Sequence, residues 1–166
     1  YVRYIDVPQN YQDEVGGVFY QQEMQALRED LAKLAGREIT DDDLNRSIAV
    51  YNDNRDAIRD LYTYRAAKPW QAPTSEVYLV QRAGMVLPVE EHTALVRQYL
   101  AAAEKLSRPK RDNARVVLTG GFCEQPPLAL IKSIEMAGCY IVDDDFMLVG
   151  RWLLDEVPTD GDPLQE

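Results

Sequence analysis

The chain has 166 residues, of which 46% are hydrophobic, and it carries a formal net charge of -10 with a pI of about 4.6. This length suits one ordinary domain or two small lobes, and the hydrophobic content supports a packed core. The acidic balance argues against DNA, RNA or an anionic membrane surface as the main partner, because these partners require basic patches. An anionic small ligand stays compatible with it, since a few local donors can outweigh the overall field.

Targeting signals and metal ligands are sparse. No apolar run approaches the roughly 18 residues that a membrane span needs, and no leader with a basic and then an apolar region is visible. We therefore expect a cytoplasmic protein, and we interpret the start at Tyr1 as a sign of a larger polypeptide. Two cysteines, Cys123 and Cys139, and one histidine, His92, cannot complete a zinc or iron–sulfur site by themselves.

The first part of the chain shows a helical pattern. Residues 2–7 form an apolar stretch that is either a strand or a linker. A helix is predicted over residues 13–35 and ends at Gly36. Thr40 is predicted as the N-cap of a second helix, with Asp43 in the place of the capping-box acid. This helix should run to about residue 67, and its predicted buried face comprises Leu44, Ile48, Tyr51, Arg55, Ile58 and Tyr62.

Two further helices are predicted before residue 109. The first covers residues 73–85 and is capped by Thr74 or Ser75, although the apolar residues in this stretch also permit a strand. Pro88 opens the second, which ends before Pro109. His92 lies in its first turn beside two glutamates, and we interpret it as a surface residue.

A strand, a helix and a second strand follow. Residues 115–119 form a β-rich run that ends in two glycines, residues 128–137 form a helix with Gly138 after its end, and residues 139–142 form the second strand. This βαβ unit predicts parallel strands with a right-handed crossover. The expected fold class is α/β. A mainly helical connecting lobe spans residues 1–111, part of a Rossmann- or flavodoxin-like lobe spans residues 112–157, and a polar tail spans residues 158–166.

The glycine turn after the first strand is the first candidate site. The turn at Gly120 and Gly121 lets the backbone approach a ligand, and the N-terminus of the next helix favours an anion. The alternative is a tight turn with no ligand. The motif is neither a P-loop nor a GxGxxG fingerprint, and Glu124 would repel a phosphate placed at the turn. Cys123, close by, is a metal ligand, a nucleophile or a packed residue that lines the pocket, whereas Cys139 is assigned to the core.

An acidic run ends the second strand. Asp143, Asp144 and Asp145 repel one another, so at least one of them needs a cation, a helix N-terminus or solvent. A divalent metal would suit them. The alternative is one capping aspartate and two solvated ones. Arg151 could pair with this run, bind a carboxylate or phosphate, or form an ordinary salt bridge.

Four segments in this order resemble the benzoyl-CoA reductase and 2-hydroxyacyl-CoA dehydratase family. They are the helical Tyr51-Asn52-x-x-Arg55, the run from Arg115 to Pro127, the run from Ile134 to Asp145, and Gly150-Arg151-Trp152. The resemblance covers nearly the whole chain. Within this family, the chain most resembles the benzoyl-CoA-binding subunits, beta or gamma, of the ATP-dependent reductase.

The resemblance implies a subunit of two α/β lobes joined by helices, with a 4Fe-4S cluster between the lobes beside an acyl-CoA thioester. An ATP-hydrolysing partner would pass an electron to the thioester, and the resulting ketyl radical anion would lead to reduction of the aromatic ring. A sister acyl-CoA-binding subunit is a further implied partner. The cluster ligands of the family are expected outside this chain, so neither cysteine is assigned as a ligand. No metal site and no catalytic residue are assigned, and the chain alone is expected to be inactive.

The resemblance also implies which residues line the second-lobe side of the crevice: Gly120, Gly121, Phe122, Cys123, Glu124, Gln125, Asp143, Asp144, Asp145 and Arg151. Two alternatives stay open. One is the dehydratase branch, which removes water from a 2-hydroxyacyl-CoA by the same ketyl chemistry. The other is a helical interaction module without catalysis, in which the helix from Asp41 to Ala67 is the working surface around Arg55 and Tyr62.

Overall fold

The computed structural model describes residues 1–10, 12–120, 126–145, 156–159 and 161–164. Within these ranges it is an α/β structure, as predicted, with a π-helical turn at Asp13–Gly17 ahead of the first α-helix. The elements are α1 (Val18–Ala35), α2 (Asp41–Ala67), α3 (Thr74–Ala83), α4 (Val89–Lys105), β1 (Ala114–Leu118), α5 (Leu128–Met136) and β2 (Cys139–Asp144). Residues 2–7 form no strand, which agrees with the linker alternative. None of the described helices combines the length and apolar content that a membrane span requires.

The chain divides into two compact units, and the division falls inside α2. One unit contains residues 1–49 and 157–166, and the other contains residues 50–156. The second unit holds α3, α4, α5 and both strands. The three-part division at residues 111 and 157 stays a prediction.

The start of α2 confirms the predicted capping box. The Oγ1 atom of Thr40 accepts a hydrogen bond from the N–H of Asp43 at 3.2 Å, and Oδ2 of Asp43 accepts one from the N–H of Thr40 at 3.1 Å. Arg37 donates to the same carboxylate at 2.8 Å, and this bond holds the pKa of Asp43 well below its usual range. Just before the box, Gly36 ends α1 with φ of 65°, a conformation that favours glycine.

The predicted buried face of α2 is only partly correct. Ile58 is buried, but Tyr51 is exposed. The core of residues 50–156 contains Ala57, Ile58, Leu61, Ala72, Val77 and Val96. On α2 the buried face therefore follows residues 54, 57, 58, 61 and 65, and it includes two polar residues that an apolar pattern could not select.

His92 is buried, so its interpretation as a surface residue is wrong. Its Nε2 lies 3.1 Å from the carbonyl oxygen of Val80, and its Nδ1 lies 3.0 Å from the side-chain nitrogen of Asn54. Because the carbonyl can only accept, Nε2 carries the proton and Nδ1 accepts from the Asn54 amide. A Cβ atom at Gly84 would lie 2.7 Å from Cε1 of the ring. The imidazole thus fills a space where both of its nitrogens find partners.

The two strands are parallel, as predicted, and they pair from Ala114 with Cys139 to Leu118 with Asp144. One residue, Val142, has no partner in this register, so β2 contains a bulge just before the acidic run. A small core joins the sheet to its two helices through Tyr78 of α3, Ile131 of α5 and Ile141 of β2. This packing fixes the ends of both strands in the second unit.

The N-terminus of α3 differs from the sequence prediction. The helix forms, but its N-cap is Pro73, and neither Thr74 nor Ser75 caps it through its side chain. Instead the N–H of Ser75 donates to Oε1 of Glu135 from α5 at 3.4 Å. A carboxylate at this end is favourable, because it meets unpaired N–H groups and the positive end of the helix dipole. The Thr74 hydroxyl is thereby left for contacts with the strand.

We predict that His92 makes the stability of the protein depend on pH below neutrality. Burial lowers the pKa of His92, so the folded state holds the neutral ring at pH values where the unfolded chain already binds a proton. This contribution is complete above the ordinary histidine pKa of about 6.5 and is lost as the pH falls through the lower folded value. Urea unfolding at pH 7 and pH 5 should show a larger loss for the parent than for His92→Gln. Equal losses in both proteins would contradict the assignment.

Candidate functional site

The carboxyl ends of β1 and β2 bring two predicted pieces of the site together. The N–H of Gly120 donates to Oδ1 of Asp145 at 2.8 Å, and the N–H of Asp145 donates to the carbonyl of Leu118 at 3.3 Å. Asp145 therefore joins the start of the glycine turn to the end of β2. In open α/β sheets ligands bind outside this edge of the strands, so the pairing holds in place the part of the fold where a crevice is expected.

Asp144 forms a buried ion pair with Arg65, which comes from the last turns of α2. The side chains of Arg65 and Asp144 are only 1% and 4% exposed. Asp143 lies further from the guanidinium, with 3.6 Å between Oδ1 and Nη2, and it is largely exposed. The cation that pairs with this part of the acidic run is thus supplied by α2. A buried carboxylate without such a partner would carry a large desolvation penalty.

The guanidinium of Arg65 connects three elements. Its Nη1 donates to the hydroxyl of Thr74 at 3.4 Å, and this hydroxyl donates to the carbonyl of Ile141 at 3.0 Å. Its Cζ atom lies 4.3 Å from the centre of the Tyr62 ring, a cation–π contact. Burial and the nearby charge of Asp144 raise the pKa of Tyr62, so its hydroxyl stays protonated at physiological pH. The Tyr62 hydroxyl is therefore no base at neutral pH. The role left to Arg65 and Tyr62 is to position the end of β2.

The bulge at Val142 explains why three adjacent aspartates have three different environments. In a regular strand, side chains alternate between the two faces, and an extra residue changes that alternation. The bulge lies directly before the run. After it, Asp144 faces Arg65, Asp145 reaches the glycine turn, and Asp143 is exposed and accepts a hydrogen bond from the N–H of Asp144 at 2.9 Å. Of the possibilities that the sequence left open for these aspartates, the structure shows a cation beside Asp144, and it is an arginine.

The remaining predicted site residues lie outside the described residues: Gly121, Phe122, Cys123, Glu124, Gln125 and Arg151. Cys139 is half-buried at the start of β2, which is the opposite end of the strand from the acidic run. In the part of the chain that the structure describes, no three side chains of His, Cys, Asp or Glu are grouped to hold a metal ion. The site assignments from the sequence stay predictions.

Arg65 is the site residue that sequence reasoning did not select. Its signal is positional, because it lies four residues after Leu61 and seven after Ile58 on the buried face of α2. A buried arginine requires a carboxylate partner, and Asp144 is 79 residues away along the chain. Only the packing of α2 against the end of β2 reveals which carboxylate that is.

A family model described as "2-hydroxyglutaryl-CoA dehydratase, D-component" matches residues 1–166. The chain belongs to this family. The resemblance seen in the ordered segments of the sequence is therefore confirmed, and so is the α/β class that it implied.

Individual members of the family differ in how similar they are to this chain. It is 60% identical over 165 residues to a benzoyl-CoA reductase subunit of Thauera aromatica. It is 30% identical over 158 residues to the beta subunit of lactoyl-CoA dehydratase of Anaerotignum propionicum, and 26% identical over 160 residues to the (R)-phenyllactyl-CoA dehydratase beta subunit of Clostridium sporogenes. These matches cover 99%, 95% and 96% of the chain but 43%, 42% and 42% of the relatives, so the chain spans less than half of their length.

We predict that Arg65→Met destabilises the protein by about 3–5 kcal/mol, because it leaves the Asp144 carboxylate buried without its cation. The matched control is Arg97→Met, which breaks the ion pair with Asp53. The two side chains of that pair are 55% and 53% exposed, so its loss should cost at most about 1 kcal/mol. Urea unfolding at neutral pH measures both changes. Equal small effects would show that the buried pair does not hold the strand end.

Proposed function

We propose that this chain is part of an acyl-CoA-binding subunit of an ATP-dependent benzoyl-CoA reductase. The observation that carries the proposal is the identity of 60% to a benzoyl-CoA reductase subunit, against 26–30% to dehydratase subunits. The contacts that Arg65 and Asp145 make at the strand ends support it, because an α/β lobe binds its ligand at this edge of the sheet. The reaction proposed for the whole enzyme is reductive dearomatisation of an aromatic acyl-CoA through a ketyl radical anion, in the cytoplasm.

The proposed partners are an aromatic acyl-CoA, a sister acyl-CoA-binding subunit and ATP-hydrolysing subunits that donate electrons. Three relatives are named as subunits, and this supports assembly of the present chain with other chains. We also propose that the intact subunit binds a 4Fe-4S cluster, which would supply the electron for the thioester. A cluster of this type takes about four cysteine ligands, and this chain has two. The residues present do not fit a complete cluster site, so we place its ligands elsewhere in the subunit.

The role proposed for the described residues is positioning. Asp145 and Arg65 fix the ends of β1 and β2, and the backbone of the glycine turn starts from that fixed edge. Rigid support of this kind matters because a misplacement of about 1 Å can reduce a rate by about a hundredfold. Gly121 to Gln125 and Arg151 are proposed to line the crevice on the basis of the sequence alone.

The content of iron and sulfide tests the placement of the cluster ligands. We expect the intact subunit, purified without oxygen, to contain iron and acid-labile sulfide, and this chain alone to contain neither. Absorption spectra of the two proteins provide an independent readout. Stoichiometric iron and sulfide on the chain alone would make Cys123 or Cys139 a ligand and overturn the placement.

Turnover by the intact complex tests the choice of branch. With the electron donor and ATP, we expect reduction of benzoyl-CoA and no dehydration of a 2-hydroxyacyl-CoA, and we expect no reduction when ATP is omitted. Dehydration without reduction would assign the protein to the other branch. Failure to bind either thioester, together with loss of a protein partner on substituting Arg55, would favour the interaction module.

We predict that Asp145→Ala weakens binding of the acyl-CoA by the intact subunit several-fold. The N–H of Gly120, at the start of the turn, would lose the carboxylate that accepts its hydrogen bond. Asp60→Ala is the matched control, since Asp60 is exposed and belongs to α2, and it lines neither the strand ends nor the cavity at the start of the strands. Direct titration with benzoyl-CoA compares the two variants. Equal affinities would mean that this edge does not position the ligand.

A further inference from the structure

An open cavity of about 470 Å³ lies in the unit of residues 50–156, at the end of the sheet where the strands begin. Asn113 precedes β1, and Cys139 and Tyr140 open β2, so the cavity is at the opposite end of the strands from the acidic run. Its other walls come from the segment before α3 and the first turn of that helix, from the segment between α4 and β1, and from α5. Its volume is within the range of small-molecule sites.

Two aromatic rings line this cavity. The rings of Trp70 and Tyr140 have centroids 6.3 Å apart with an interplanar angle of 57°. The Tyr140 hydroxyl accepts a hydrogen bond from the N–H of Arg111 at 2.7 Å, which holds the loop before β1 against β2. Both residues are half-buried, so part of each apolar ring is accessible from the cavity.

The cavity is also rich in cations, although the chain has a net charge of -10. Arg108, Arg111 and Lys132 line it, and the ammonium of Lys110 lies 4.9 Å from the centre of the Trp70 ring. Arg108 is neutralised by Glu76 at 2.8 Å. Within the described ranges, no carboxylate forms an ion pair with the other three cations.

One carboxylate, that of Glu135, also lines the cavity. Its Oε1 accepts the hydrogen bond from the N–H of Ser75 at the N-terminus of α3. The positive end of that helix dipole offsets part of its charge. Among the described residues that line the cavity, two cations without a carboxylate partner, Arg111 and Lys132, stand against one capped carboxylate. The cavity therefore has an excess of positive charge, which attracts an anion and disfavours a metal ion.

We propose that this cavity binds a phosphorylated nucleoside, with its base against Trp70 and Tyr140 and its phosphate on Arg111 and Lys132. Stacking of a base on an aromatic ring and charge-assisted hydrogen bonds to phosphate both favour such a ligand. The same chemistry is offered by a free nucleotide and by the nucleotide end of a coenzyme A thioester. The proposal does not depend on which thioester the crevice transforms, because it concerns binding at the other end of the strands.

Calorimetric titration of the intact subunit, paired with its sister subunit but free of ATP-hydrolysing subunits, tests the site. The probes are ADP, adenosine, inorganic phosphate and coenzyme A. We expect ADP to bind more tightly than adenosine or phosphate. Arg111→Gln combined with Lys132→Gln should weaken ADP about tenfold or more, with little effect on adenosine.

Two further variants make the result specific. Lys33→Gln combined with Lys105→Gln removes the same charge from exposed positions outside the cavity, and it should leave the ADP affinity unchanged. Trp70→Leu should weaken ADP and adenosine but not phosphate. If the Arg111 and Lys132 variant also weakens coenzyme A, and coenzyme A competes with ADP, the coenzyme is the source of the nucleotide. If only ADP depends on these residues, a free nucleotide is the source.

The proposal is overturned by either of two outcomes. One is equal affinity for ADP in the Arg111 and Lys132 variant and in the parent, which would place nucleotide binding elsewhere. The other is the absence of any ADP binding to the parent at millimolar concentration. Both substituted cations are exposed, so their replacement should not prevent folding, and circular dichroism of each variant checks this.

Discussion

The buried contact between Arg65 and Asp144 is the constraint on which the strand ends depend. A charge in the interior of a protein is costly unless it is paired and hydrogen-bonded, so α2 and β2 must meet at one place. The Thr74 hydroxyl brings α3 to the same point by joining Arg65 to the carbonyl of Ile141. Asp145 follows directly and reaches the glycine turn, so the order of the edge extends from this one pair to β1.

An apolar pair could occupy the same space, and buried ion pairs are weak evidence for stability. Their better-supported use is to select one arrangement among several, and β2 needs such a selection. A slip of one residue exchanges the two faces of a strand, and it would bring a different aspartate to Arg65. With the bulge at Val142, Asp144 is the carboxylate that pairs with Arg65 at close range, while Asp143 stays exposed. We therefore infer that the pair helps to select the register of β2.

Features set by neighbours in sequence could be predicted. The reciprocal capping at Thr40, the positive φ of Gly36 and the parallel strands each follow from a pattern within one element or one βαβ unit. Features set by distant residues could not. The burial of His92 depends on Asn54 and on the carbonyl of Val80, and nothing in its own helix indicates them. The partner of Arg65 and the bulge in β2 have the same origin, since both require the packed sheet.

The two ends of the sheet differ in the charge of their side chains, which the net charge of the whole chain does not show. At the carboxyl ends, acidic side chains are used to hold the backbone, so the wall of the expected crevice is built from neutralised or bonded carboxylates. At the other end, Arg111 from the loop before β1 and Lys132 from α5 line a cavity together with two aromatic rings. An acidic chain that attracts an anionic ligand must concentrate its cations locally, because the overall field repels that ligand. A loop and a helix can supply these cations without altering the strands, so the carboxyl edge of the sheet can keep its own set of charges.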